Sequence, residues 1–206
     1  MRVEYRSLPL ERDQLDDDPL VQFTRWMTDA ERAGVEESNA FVLATADAAG
    51  RPSARTVLLK GVGPEGFDFY TNYESRKASE IEDNPVAAAV FLWLPIRRQV
   101  RIEGTISKVD PVLSDAYFEG RPPESRLASA ASPQSSVVSS RAELENRLDE
   151  LRRRYPDGAV PRPRSWGGYR IAPISYEFWQ GREARFHDRF LYSREDDRWL
   201  IERLAP

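Results

Sequence analysis

Short apolar runs of strand length, each closed by a turn signal, recur along this chain and restrict it to a strand-rich fold. Ala40–Asp47 is apolar and is followed by AAGRP. Ser53–Lys60 alternates loosely and ends at GVGPEG, after which Phe67–Thr71 is expected as a strand. Val86–Leu94 is continuous enough to read as a strand buried on both faces. Gln99–Val109 alternates, with Val100, Ile102, Gly104 and Ile106 on one side. The pattern returns at Tyr169–Ile171, Ile174–Gln180, Phe186–Ser193 and Trp199–Leu204, the last two joined around Glu195–Arg198.

Helices are short and scattered among these runs. Asp18-Pro19 is an N-cap followed by proline at the first helical position. Leu20, Phe23, Met27 and Ala30 then share one face before Gly34. Ser75–Asp83 reads as a helix stopped before Pro85, and Asp110-Pro111 opens another that ends at Gly120. Ser140 and Glu143 have capping-box spacing ahead of Leu144, Leu148, Leu151 and Tyr155. Residues 121–138 read as a functional loop with one helical turn, and residues 156–168 as a Pro/Gly/Arg loop. Seven or so strands in a meander, with interspersed helices, point to a small antiparallel barrel of the mainly β or α+β class. The strand–helix alternation and glycine fingerprint of a dinucleotide fold are missing. Residues 1–17 are expected as a mobile N-terminal arm and 18–206 as a single domain.

Composition narrows the function. No cysteine is present, which removes disulfides, thiolate metal sites and cysteine nucleophiles, and one histidine argues against zinc. The net charge of −4 argues against a nucleic-acid partner. The polar N-terminus is no secretory leader, and the longest apolar run is about half the roughly 20 residues of a membrane span, so a soluble, cytoplasmic protein is expected. HExxH, Walker A and GxSxG motifs are absent.

Basic residues nevertheless gather between Arg55 and Arg101 and between Arg182 and Arg189, a pattern suited to small anions. In Asn72–Lys77, Ser75 is placed as an N-cap, and Arg76 and Lys77 fall in the first helical turn. Cations conflict there with the helix dipole unless an anion such as phosphate sits on the terminus; two solvated surface cations are the alternative. Arg55 and Lys60 lie on opposite faces of a flat strand unless Lys60 lies past its end. Gln99, at the head of a strand, both donates and accepts and suits a ring edge. Tyr117, Arg121 and Ser125 are spaced by four across a helix end and suit a phosphate monoester. Arg182, Arg185 and Arg189 crowd around the only histidine, His187, an arrangement that favours a shared anion.

Taken in order, RTVLLK (55–60), FYTN (69–72), SRK (75–77), RQVRIEG (98–104), YFEGRPPES (117–125), QSS (134–136), SWGGYRI (165–171), EFWQG (177–181) and RFHDRF (185–190) resemble the pyridoxamine/pyridoxine 5′-phosphate oxidase family over nearly the whole chain. The resemblance implies an FMN-binding split antiparallel β-barrel with peripheral helices, and a homodimer with FMN at the subunit interface. It implies oxidation of pyridoxamine 5′-phosphate or pyridoxine 5′-phosphate by O2 to pyridoxal 5′-phosphate and H2O2. By position, Arg55, Lys60, Tyr70, Thr71, Arg76, Lys77, Gln99, Gln134, Ser135, Trp179 and Arg189 correspond to the FMN site. Lys60, Tyr117, Arg121 and Ser125 correspond to the substrate-phosphate site. Arg185 and His187 correspond to the catalytic pair over the substrate ring, and Arg2 and Tyr5 to a covering arm. The chain departs from the family pattern at Phe186, at Ala128-Ser129-Ala130 and in the arm. The alternatives are a phenazine-type split-barrel oxidase with another substrate, a deazaflavin reductase, and a non-catalytic flavin or pyridoxal-phosphate carrier.

Overall fold

The computed structural model describes residues 9–196 and 198–206. In chain order they form α1 (Pro19–Arg32), β1 (Ala40–Ala46), β2 (Pro52–Leu58), β3 (Gly61–Gly63), β4 (Gly66–Asn72), α2 (Arg76–Asp83), β5 (Val86–Trp93) and β6 (Arg98–Lys108). Then follow α3 (Pro111–Glu119), α4 (Pro123–Ala131), α5 (Arg141–Arg154), β7 (Trp166–Gln180), β8 (Asp188–Glu195) and β9 (Arg198–Leu204). Every strand pairing is antiparallel, in the order β2-β1-β5-β6-β7-β4-β3, with β8 on β7 and β9 on β8.

β7 is the spine. β6 pairs along one of its edges for nearly its whole length. The other edge is divided: β4 takes the first half, from Asn72↔Trp166 to Phe67↔Ile171, and β8 takes the second, from Ser175↔Ser193 to Gln180↔Asp188. The barrel wall parts there, which is the split-barrel architecture. The β6–β7 register shifts between Glu103 and Gly104. A Cβ on Gly104 would stand 2.1 Å from the Ala172 carbonyl oxygen, so only glycine permits this approach. Pro173, which cannot donate to a ladder, sits opposite that same irregularity. This is why β7 runs unbroken where the sequence suggested two strands.

Rings fill the barrel. Phe23 of α1 meets Phe67 and Phe91 edge-on at 4.9 Å each, and Trp26 meets Phe178 at 5.2 Å. Asp18 caps α1 by accepting from Leu20 N at 2.8 Å. The buried stripe of α1 runs through Gln22, Phe23, Trp26 and Ala30, while Leu20 and Met27 pack at its margin. β5 is not buried on both faces: Ala87, Ala89, Phe91 and Trp93 point inward, whereas Val86 and Leu92 are about half exposed. Its small alanines made the outward positions look like core. Residues 9–17 lie against β8 and β9, with Leu10 and Leu15 buried and Tyr192 Oη donating to Asp16 O at 2.7 Å. Arg2 and Tyr5 lie outside the described residues.

A second, smaller core under α3–α5 gathers Phe118, Leu127, Val160 and Trp166. α4 is a nine-residue helix rather than a loop with a single turn, because Pro123 occupies its first turn, where a missing N–H costs nothing. Ser140 accepts from Glu143 N at 3.2 Å, but Glu143 reaches back to Ser139 N at 2.9 Å, so the box closes one residue earlier. No helix among the described residues is long and apolar enough to cross a membrane.

Candidate functional site

A cavity of about 610 Å³ opens where β2, β4, α2, α3 and α4 converge on the small core. Its wall brings together Arg55, Lys60, Tyr70, Thr71, Lys77 and Gln134 with Tyr117, Arg121 and Ser125. Nine residues singled out from sequence thus meet in one place. β2 ends at Leu58, so Lys60 lies beyond the strand and reaches the same cavity as Arg55.

The cationic side is built around one carboxylate. Glu80, 4% exposed, accepts from Thr45 Oγ1 at 2.5 Å, Ser53 Oγ at 2.6 Å, Arg55 Nη2 at 3.1 Å and Arg76 Nε at 2.8 Å. Burial alone would raise its pKa, but hydrogen bonds from Ser53, Thr45, Arg76 and Arg55 outweigh it and hold the carboxyl at about 2. Lys77 is buried, and its Nζ donates to Thr71 Oγ1 at 3.0 Å, Ser75 Oγ at 3.2 Å and Gln134 Oε1 at 2.7 Å. Burial, then the charge of Arg55, bring its pKa down to about 8. Arg76 does not turn in beside it; the side chain is 67% exposed and leans on Glu80. Ser75 holds the N-cap position of α2, yet its hydroxyl donates to Asn72 O at 2.7 Å and caps no helix N–H. Ser135, next to Gln134, has a left-handed backbone (φ 71°) and is exposed.

Another part of the wall is aromatic. Tyr70 and Tyr117 stack at 3.9 Å, and Trp166 lies nearly parallel to both. Gly168 permits this, because a Cβ there would come within 2.8 Å of the Tyr70 ring. Arg121 covers Trp166 with its guanidinium 4.9 Å from the ring, and Nη1 donates to Ser129 Oγ at 2.7 Å. Trp166 and Ser129 are not among the site residues expected from sequence. The Gly-Gly pair after Trp166 was the available sign of close packing.

The remaining site residues lie elsewhere. Gln99 on β6, Trp179 on β7 and Arg189 on β8 form one cross-strand row. Arg189 donates to Glu177 Oε1 at 2.9 Å, and the Trp179 and His187 rings are 4.6 Å apart. His187 Nδ1 accepts from Arg182 N at 3.0 Å, which places the imidazole hydrogen on Nε2. Burial, then the Arg185 charge, lower the histidine's pKa. Ala184 and Arg185 both have left-handed backbones, φ 54° and 63°. Tyr70 pairs with Gly168 near the start of β7, whereas Trp179 is its penultimate residue. At 3.3 Å per residue, roughly 35 Å of strand separates the two levels. One chain therefore does not bring this row into its own cavity.

Residues 27–155 match the pyridoxamine 5′-phosphate oxidase family, and residues 166–206 match the pyridoxine 5′-phosphate oxidase C-terminal dimerisation region. The pyridoxine/pyridoxamine 5′-phosphate oxidase of Rubrobacter xylanophilus is 55% identical over the whole chain and 95% of its own length. The chain belongs to the pyridoxamine 5′-phosphate oxidase family. The protein of the same name from Salinibacter ruber is 52% identical over the whole chain and 97% of its own length. Among solved structures, PhzG from Burkholderia lata, in complex with tetrahydrophenazine-1-carboxylic acid, superposes with a TM-score of 0.92 at 30% identity, covering 99% of this chain and all of PhzG. A pyridoxamine 5′-phosphate oxidase-related, FMN-binding protein from Nostoc punctiforme shares the fold at TM-score 0.72 and 19% identity, covering 93% of this chain and all of its own.

Proposed function

We propose that this family member is an FMN-dependent oxidase that converts pyridoxamine 5′-phosphate or pyridoxine 5′-phosphate to pyridoxal 5′-phosphate. The observation that carries the reading is the presence, in one cavity, of two groups of anion-binding side chains. Arg55 and Lys77 form one. Arg121, which makes no ion pair among the described residues, forms the other with Lys60, Tyr117 and Ser125. Two phosphorylated ligands, a cofactor and a substrate, account for both; the phosphate-free substrate of a phenazine-type oxidase would use only one.

The residues present fit FMN. Arg55, Lys77 and the uncapped start of α2 suit its phosphate, with Arg76 at the rim, and Thr71, Gln134 and Ser135 supply hydrogen-bonding groups beside it. When bound, FMN supplies the two-electron acceptor for oxidation at the substrate's 4′ carbon and passes the electrons to O2, giving H2O2. With the amine substrate, water then replaces nitrogen and ammonia leaves. Lys60, Tyr117, Arg121 and Ser125 would anchor the substrate phosphate and so fix the 4′ carbon in place. Arg185 would neutralise charge on the pyridine oxygen, and His187 would donate through Nε2. Arg2 and Tyr5 would cover the ring.

Separation of the Gln99–Trp179–Arg189 row from the cavity supports a homodimer in which each cavity is completed by that row, with Arg185 and His187, from the other subunit. The match of residues 166–206 to a dimerisation region agrees with this. The test is a visible spectrum of the purified protein, followed by anaerobic addition of pyridoxamine 5′-phosphate. Bleaching of bound flavin, with recovery and aldehyde formation on admitting air, is expected. A flavin that stays oxidised with both phosphorylated vitamers overturns the reading.

A further inference from the structure

Arg121 shares with Lys60 the positive charge at the substrate end of the cavity, and no acidic partner fixes its guanidinium. It follows α3 and precedes α4, and no described carboxylate reaches it. Three contacts set its direction: the Trp166 ring at 4.9 Å, the Phe118 ring at 5.9 Å, and Ser129 Oγ, its one side-chain hydrogen bond among the described residues, at 2.7 Å. A second cavity of about 250 Å³ adjoins the first and shares Arg121, Ser125, Ser129 and Gln134 with it. Arg121 stands between the two. Asn72 and Ser132 line the second cavity and not the first.

Ser129 has a second capacity. It lies four residues after Ser125 on α4, so the two hydroxyls share a helix face, and both line the main cavity. A hydroxyl holds one hydrogen and two lone pairs. Ser129 accepts from Arg121, and no described residue accepts its hydrogen. That hydrogen is therefore available to an anion which already touches Arg121.

We propose that Ser129 is a further binding residue for the substrate phosphate, holding Arg121 on the cavity side and donating its own hydrogen to the same phosphate. This rests on the function proposed above. Alanine is the better helix former at this position, so the substitution does not endanger α4.

The experiment compares the unaltered holoenzyme with Ser129→Ala and Ser129→Thr. In Ser129→Ala, the KM for pyridoxamine 5′-phosphate rises about tenfold, the range of a lost hydrogen bond to a charged group, with kcat changed less than about twofold. The inhibition constant of inorganic phosphate rises in parallel, turnover of phosphate-free pyridoxamine is unaltered, and Ser129→Thr restores most of the affinity. An unchanged KM in Ser129→Ala overturns the proposal, as does an equal loss with phosphate-free pyridoxamine. If the unaltered enzyme oxidises neither vitamer, the proposed function falls. Phosphate affinity read by phosphorus NMR then still decides Ser129: no difference between the two proteins overturns its role.

Discussion

Arg55 on β2 and Glu80 on α2 meet at 3.1 Å inside the wall of the cavity, and the carboxylate that holds Arg55 also holds Arg76. The pair joins a strand to a helix at the point where an anion would bind. Thr45 and Ser53 stand between them, each accepting from Arg55 and donating to Glu80.

Replacing Glu80 by alanine leaves Arg55 and Lys77 close together with no buried counter-charge. The expected loss is about 3 kcal/mol of folding stability, measured by urea unfolding of the apoprotein. The contribution has a definite pH window. Glu80's folded pKa is depressed, so its stabilisation is full above the ordinary value of 4.5 and is lost as pH falls from there towards about 2. In Glu80→Gln the acid limb of the stability curve should flatten over that interval; an unchanged limb removes Glu80 from the account.

Lys77 makes cofactor affinity sensitive to mild alkali. Its pKa of about 8 means that binding a phosphate dianion above that pH requires proton uptake. FMN affinity, followed by flavin fluorescence, should weaken by up to about tenfold per unit as pH rises beyond 8. Lys77→Met should bind more weakly below pH 8 and show no such slope.

Arg121 and Arg185 belong to opposite ends of β7. Arg121→Ala and Arg185→Leu homodimers should each be nearly inactive while retaining FMN. Co-refolding the two variants should return about a quarter of normal turnover, because half the dimers are mixed and each mixed dimer rebuilds one intact cavity. No recovery would place both arginines in the cavity of one chain.

Trp166 supports Arg121 from behind. Trp166→Leu should raise KM for the phosphorylated substrate about fivefold through loss of the cation–π contact. The same change should lower thermal stability, since Tyr70, Tyr117 and Phe118 all pack on this ring.

Much of this was legible in the chain. Asp18-Pro19 and Asp110-Pro111 mark helix starts because aspartate side-chain oxygens cap the first turn at each place. The alternation in β6 names its buried face correctly, at Val100, Ile102 and Ile106. Local rules failed where a partner decides the outcome. Pro122-Pro123 looked like loop, but proline in a first turn is compatible with helix. Ala88 and Val90 looked like core, although nothing in the chain's own fold covers that face fully. Within the site, charged residues stood out because isolated cations need explanation. Trp166 and Ser129 did not, since a ring or a hydroxyl is unremarkable until its neighbour is known. Nor could sequence show that Arg55, Lys60 and Arg121 share one cavity while Arg185 lies past the far end of β7.

The cavity wall consists of rings, hydroxyls, amides, aliphatic groups and cations, and none of its side chains contains sulfur. On the proposed reaction, each turnover releases a molecule of peroxide beside these groups. Thiolates and thioethers are the side chains peroxide attacks most readily. The chain has no cysteine, and Met27 packs against the barrel core on α1. The catalyst therefore presents little that its own by-product can damage, and repeated turnover should leave its lining chemically unaltered.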